Sequence, residues 1–192
     1  SHLALLQLTA IGTLSRRPAP RSYTTKRVAA GRACATLAQM SADDYSKTFT
    51  VAGTLAGEPV RVAGKAGLAG GAAVGDVAAL AAELVQPAPD ERVALLGCGN
   101  GALGVALARR LRGGHLTLSD PSLIALRLAR ATLAANGVAN ATVSEDISLL
   151  PAGAGAFDRV VVLAPQSRAL GRRWLVEAHG LLRAGGVLDV AG

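Results

Sequence analysis

Val93-Ala94-Leu95-Leu96-Gly97-Cys98-Gly99-Asn100-Gly101-Ala102-Leu103-Gly104 is the stretch that decides the fold of this chain. Its four opening apolar residues predict a buried strand. Glycines then alternate at 97, 99 and 101, and an apolar-periodic helix is expected from Ala102 to Leu111. Arg109, Arg110 and Arg112 crowd the end of that helix, and Gly113-Gly114 stops it. Strand, glycine turn and helix let backbone approach a nucleotide closely. Glycine adopts positive φ and carries no side chain, and a helix N-terminus presents free N–H groups. The next strand, His115-Leu116-Thr117-Leu118-Ser119, ends in Asp120, about 20 residues past the glycine turn. An acid there sits where ribose hydroxyls are held. The plainer role for Asp120 is a cap for the helix that opens at Pro121-Ser122; both roles are compatible, and the surrounding pattern favours the ribose site.

Working outward, a helix is expected from Ser122 to Ala135, with Ile124, Leu128, Ala131 and Ala135 on one face and Asn136-Gly137 as its end. Ala141–Ser144 is a third strand, and Glu145-Asp146-Ile147 follows. Asp146 at that tip is placed to accept from an adenine amino group, or else belongs to a solvated turn. Phe157–Leu163 is a fourth strand. A helix interrupted near Gly171 is expected within Gln166–Arg183, then a turn at Gly185-Gly186 and a fifth strand at Val187–Val190. Toward the N-terminus, Thr48–Val51 and Val60–Val62 flank a turn near Gly57 and predict a hairpin. Lys65–Gly75 reads as a loop, and Asp76 as the cap of a helix over Val77–Val85. Strands alternate with helices throughout, which predicts an α/β fold with a parallel sheet.

The charge is unevenly spread. The chain carries a net +7 over 192 residues. Residues 1–42 hold Arg16, Arg17, Arg21, Lys26, Arg27 and Arg32 and no acid, so this arm carries most of the excess and the domain from residue 43 is nearly neutral. A near-neutral domain argues against a broad electrostatic grip on nucleic acid by the folded part. Arg-rich, Ser/Thr-containing and acid-free, the arm has the composition of an organellar transit peptide. Met40 offers a second interpretation, as a start residue after a spurious extension. The two cysteines, Cys34 and Cys98, make no disulfide framework, and with His2, His115 and His179 scattered no metal pattern emerges. No run of apolar residues is long enough to span a membrane.

The chain resembles class I S-adenosylmethionine-dependent methyltransferases, and most closely the small-domain branch that includes the small-subunit ribosomal RNA guanine-N2 enzymes. The resemblance covers about Thr48–Gly192 and rests on an ordered series of motifs. These are Gly97-Cys98-Gly99-Asn100-Gly101, Leu118-Ser119-Asp120, Thr132-Leu133-Ala134-Ala135-Asn136-Gly137, Phe157-Asp158 and Leu182-Arg183-Ala184-Gly185-Gly186. It implies a Rossmann-like sheet and S-adenosylmethionine as cofactor. Gly97, Gly99 and Gly101 would line its methionine part, Asp120 would hold its ribose and Asp146 would face its adenine.

Several positions depart from the family pattern. The acid that the family carries two residues before the first glycine is here Leu95. The Asn-Pro-Pro-Phe segment of amino-methylating members is here Ala164-Pro165-Gln166-Ser167, without the amide and the ring that place an acceptor amine. The loop before the first helix, often Lys-Pro-Gly-Val-Phe-Ser, is Lys65-Ala66-Gly67-Leu68-Ala69-Gly70. The family's terminal hairpin would follow Gly192, so the expected sheet is truncated after its fifth strand. These departures lead to the expectation of a methyltransferase-like, non-catalytic subunit of a large organellar assembly, a mitochondrial ribosome or respiratory complex, with a chloroplast as the other compartment. Its partners would be other protein subunits, with RNA reached through the basic arm, and cofactor binding would be weak or absent. The competing expectation is an active methyltransferase acting on RNA or protein.

Overall fold

The computed structural model describes residues 5–9, 13–15, 47–66, 74–146 and 148–192. The six basic residues of the arm and most of the expected loop at 65–75 lie outside the described residues. Strands β1 (Leu5–Thr9), β2 (Thr13–Ser15), β3 (Thr48–Leu55) and β4 (Glu58–Lys65) come first. There follow α1 (Asp76–Leu84), β5 (Arg92–Leu96), α2 (Ala102–Arg110), β6 (His115–Ser119), α3 (Leu123–Ala135) and β7 (Ala141–Val143). The last elements are a 3-10 turn (Leu150–Ala152), β8 (Phe157–Leu163), α4 (Arg168–Leu181) and β9 (Leu182–Ala191). The main sheet has the order β2-β1-β9-β8-β5-β6-β7, and β3 and β4 form a separate hairpin. The strands from β9 to β7 run parallel, as strand–helix alternation requires.

The central strand is apolar on both faces because both faces are covered. Val93 and Leu95 of β5 pack with α1, α2, α3 and the hairpin in one core, and Ala94 and Leu96 pack with α4 in the other. In β8, Val161 joins the first core and Val160 and Val162 the second. Burying each of the valines and leucines among them contributes about 1.5–3 kcal/mol relative to exposure.

Thr132 of α3 and its C-cap residue Asn136 hold the hairpin. The Arg61 N–H donates to Asn136 Oδ1 (3.0 Å), Asn136 Nδ2 donates back to Arg61 O (2.6 Å), and the Ala63 N–H donates to Thr132 Oγ1 (2.9 Å). These bonds satisfy part of an edge that would otherwise present bare backbone groups. Helix ends are closed from a distance. Arg110 donates to Ala82 O and Val85 O at the end of α1, and Asn140 Nδ2 to Ala108 O and Leu111 O at the end of α2. Burial lowers the Arg110 guanidinium pKa from its ordinary value, with Glu58 acting the other way.

Three local expectations are corrected. Asp76 is the first residue of α1, not its cap; Gly75 holds the cap position without a side-chain bond. The last helix runs unbroken through Gly171, whose N–H donates to Ser167 O at 2.9 Å within the regular helical pattern; an isolated glycine lowers helix propensity without breaking the ladder. Finally, β9 starts at Leu182 and absorbs Gly185-Gly186 as an irregularity opposite Phe157–Arg159.

The edge that truncation after the fifth strand would leave is covered by the chain itself. β1 pairs antiparallel with β9 over Leu5–Thr9, from Leu5 opposite Ala191 to Thr9 opposite Val187. Asp189, the one acid on that strand, is fully buried and does not serve as an edge charge. Arg159 reaches it from β8 with Nη1 (2.6 Å), and Arg159 Nε reaches Glu91 (2.8 Å). Burial pulls the Arg159 pKa down, but its hydrogen bonds and charge pairing with Glu91 and Asp189 raise it overall.

Candidate functional site

The glycine turn leaves β5 at the C-terminal edge of the sheet. Gly97 and Cys98 N–H groups both donate to Ser119 O, at 2.9 and 3.1 Å, which ties the turn to the end of β6. Gly97, Gly99 and Gly101 all have positive φ, at 80°, 54° and 82°. Their surroundings differ. A Cβ on Gly97 would lie 2.8 Å from the Trp174 ring and 2.9 Å from Leu163 O, and one on Gly101 would lie 2.8 Å from Ala129. A Cβ on Gly99 would meet nothing within 4 Å. Gly97 and Gly101 therefore let α4 and α3 pack against the turn, and Gly99 is the glycine whose free side faces open space.

Asp120 braces this turn. Its Oδ2 accepts from the Gly99 N–H (2.9 Å) and its Oδ1 from the Ser122 N–H (2.9 Å). Bracing the turn and starting α3 are thus done by one carboxylate, while Ser122 Oγ caps the helix by accepting from Ala125 N–H (3.3 Å). A carboxylate has about four lone-pair sites, so two backbone donors leave room for ribose hydroxyls. Burial, and then the nearby Asp120 charge, push the Cys98 thiol well above its ordinary pKa, so it stays protonated and unreactive.

The turn is less open to anions than its sequence suggests. Besides the amides of Gly97, Cys98 and Gly99, that of Gly101 donates to Cys98 O and that of Ala102 to Asn100 Oδ1. Amides turned inward cannot cradle a phosphate in the way that free helix N-termini do. The geometry favours a ligand held by its hydroxyls and by apolar contact.

Asp146 lies beyond β7, next along the same edge. Its carbonyl oxygen accepts from Ser119 Oγ at 3.5 Å, and its N–H donates to Ser144 Oγ at 3.1 Å. The glycine turn and Asp120 are joined directly, and Asp146 is linked to them only through Ser119. Leu95 is fully buried and stands level with Leu118 and Val161 on the neighbouring strands; the carboxylate at that level of the sheet is Asp189 on β9, one strand beyond Val161, and it is taken up by Arg159. In Ala164–Ser167, the Ser167 hydroxyl caps α4 by accepting from Leu170 N–H, and Pro165 lies near Gly171. Gln166 is left as the segment's one exposed polar side chain without a helix-capping role.

Two residues of this region carried no periodic signal in the sequence. Trp174, the single tryptophan, supports Gly97 from α4. Glu177, also on α4, is buried and accepts from Leu149 N–H (2.6 Å) and Ser148 Oγ (2.9 Å), which fixes the segment after β7. Being the lone Trp and a lone acid on an otherwise basic helix were the only hints. Among the described residues there is no cluster of metal-ligating side chains and no helix long and apolar enough to cross a membrane.

Comparison with known proteins places this geometry. Residues 60–191 match the model of the methyltransferase small domain. Ribosomal RNA large subunit methyltransferase G of Pseudomonas aeruginosa (strain UCBPP-PA14) is 39% identical over 108 residues, covering 53% of this chain and 29% of that protein. Ribosomal RNA small subunit methyltransferase C of Sodalis glossinidius is 41% identical over 73 residues, covering 38% of this chain and 20% of that protein. Among solved structures, the T. thermophilus 16S rRNA N2 methyltransferase in complex with AdoMet and guanosine superposes with a TM-score of 0.54 at 20% identity, over 64% of this chain and 34% of that one. The chain spans less than a third of the length of these two curated relatives. The match over residues 60–191 takes in the glycine turn, Asp120, Asp146 and every parallel strand, and this chain belongs to the methyltransferase small domain family.

Proposed function

We propose that this chain is an RNA-associated methyltransferase-family domain that keeps the cradle for S-adenosylmethionine and has lost the clamp for a methyl acceptor. The observation that carries the first half is Asp120, which braces Gly99 and Ser122 while Gly99 faces open space. The residues present fit the cofactor in part. Asp120 would hold its ribose, the Gly97–Gly101 backbone its methionine part and Asp146 its adenine. When bound, S-adenosylmethionine supplies an electrophilic methyl group on a sulfonium. Transfer depends on an acceptor held in line with it. Around Ala164–Ser167 the Ser167 hydroxyl is committed to capping a helix, and no aromatic ring is present to stack on a base. RNA as partner is supported by the relatives, which are named as ribosomal RNA methyltransferases. The arm's composition supports an organellar, mitochondrial setting within a larger assembly.

Active methyl transfer to RNA is the second reading, favoured by the intact pairing of Asp120 with the turn. Cofactor affinity separates the two. Leu95 leaves the cofactor's ammonium without an anion, and a missing charge-assisted hydrogen bond costs about 1.5–3 kcal/mol. That is roughly a ten- to hundredfold weaker complex. Calorimetric titration with S-adenosylmethionine should show weak binding by the parent and tighter binding by Leu95→Asp, although burying the new carboxylate lowers that variant's stability. Low-micromolar binding by the parent, together with methyl incorporation into ribosomal RNA, would establish the active enzyme instead.

A further inference from the structure

The outer face of α4 carries a cluster that the fold does not explain. Arg168, Arg172 and Arg173 are all exposed, and none has a hydrogen-bond or ion-pair partner among the described residues. They occupy the first and second turns of the helix, where no acid stands in the first turn. Cations are disfavoured at that end by the helix dipole. The one acid on the helix, Glu177, lines the same cavity as Arg172 and Arg173, but it is buried, accepts from Ser148 and Leu149, and forms no ion pair with these arginines. Arg168 in the first turn goes against the dipole, and Arg172 and Arg173 extend it into an exposed cluster of three unpaired cations, a local cost of the kind that marks functional surfaces.

Their position is as informative as their charge. The helix begins where β8 ends, at the same edge of the sheet as the glycine turn, and Trp174 beside Arg173 packs directly under Gly97. A cavity of about 340 Å³ runs from there along the middle of the helix, lined by Ser148, Leu150, Arg172, Arg173, Val176 and Glu177, with Leu150 reaching Gly180 near the helix's other end. Leu150 and Val176 remain 49% and 75% exposed. A second cavity, which holds Arg109, Arg110 and Arg112, lies at the opposite end of the sheet. There Arg109 is paired with Glu58 and Arg110 with the carbonyls of α1.

We infer that the stretch of α4 from Arg168 to Val176 and the Ser148–Leu150 segment form a docking surface for an RNA strand that leads to the cofactor cradle. Arg168, Arg172 and Arg173 meet backbone phosphates, and the apolar wall of Leu150 and Val176 takes an unstacked base. Single-stranded RNA presents those two chemistries together, and proteins take it up by pairing a basic groove with surfaces on which bases rest. The arginine fork matches phosphate oxygens in shape as well as charge. This inference rests on the RNA-directed reading above.

The test is fluorescence anisotropy of a short labelled stem-loop RNA with guanosines in its loop, titrated with the full chain over a range of salt. Arg172→Gln/Arg173→Gln removes two phosphate contacts. The slope of log affinity against log salt should fall by about 1.4, and affinity at 0.1 M salt by about 25-fold. Arg127→Gln, on α3 across the sheet, should change neither, and Val176→Ser should weaken binding without altering the slope. Glutamine has nearly the helix propensity of arginine and these positions are exposed, so the fold is retained. If the double variant keeps parental affinity and slope, the surface lies elsewhere and the inference fails while RNA binding stands. A parent chain that binds no RNA overturns this inference and the RNA-directed reading together. If polyglutamate displaces the RNA as well as unlabelled RNA does, the face is a general anion surface and its assignment to RNA is wrong.

Discussion

Asp120→Asn is the most searching perturbation of the candidate site. The two carboxylate oxygens each accept one backbone N–H, from Gly99 and from Ser122, both at 2.9 Å. Asparagine has one oxygen and one NH2 group, so whichever way it turns, a donor faces a donor at one of the two amides. One charge-assisted bond, worth about 1.5–3 kcal/mol, is lost. The surviving bond becomes neutral and about half as strong. Asp120 is half-buried, so water relieves part of the orphaned amide. The expected net loss is about 2 kcal/mol of unfolding free energy, which at a slope of ~2 kcal/mol/M moves the urea midpoint down by about 1 M. Trp174 reports the transition cleanly because it is the only tryptophan, it is 6% exposed, and its ring lies against the turn that Asp120 braces. S-adenosylmethionine titrated into the folded variant should show a further ten- to hundredfold loss, from the ribose contact. A variant whose urea midpoint stays within experimental error of the parent's would refute the bracing role. Unchanged cofactor affinity would remove Asp120 from the cradle.

Two other substitutions probe the frame that carries the site. Arg159→Met leaves Asp189 buried without its cation, which should cost about 3–5 kcal/mol. Adding Asp189→Leu should recover most of that in urea denaturation, and a double variant no more stable than the single one would show that packing, not charge, is lost. Asp158 is held below its ordinary pKa, chiefly by the Arg92 N–H at 2.7 Å and then, against a desolvation penalty, by Arg183. A carboxyl depressed in the folded state stabilises fully above its unfolded pKa, near 3.8, and that contribution disappears as pH falls through the lower folded value. Asp158→Asn should therefore cost about 1–2 kcal/mol at neutral pH and flatten the acid limb of the stability curve below pH 3.8. An acid limb as steep as the parent's would exclude Asp158 as its source.

The order of elements and the location of the site were legible in the residues alone. Val93–Leu96 is apolar at every position because both faces of a central parallel strand are covered. Glycines at 97, 99 and 101 fit a turn with three positive φ values, and Asp120 ends the adjacent strand. These are short-range properties, set by period, dihedral preference and the length of one strand–helix unit. Other features were decided by packing between distant segments. No local pattern indicates that Asn136 and Arg61, 75 residues apart, exchange hydrogen bonds, or that Trp174 supports Gly97. Nor does any show that Asp189 is buried against Arg159, or that β1 lies along β9. The same holds for the amides of the glycine turn. Its sequence promises free donors, and only the approach of Ser119 and Asp120 from the next strand determines that most of them point inward. A hydrogen bond is assigned by whichever partner the folded chain brings within about 3 Å, and that partner is chosen by the tertiary packing.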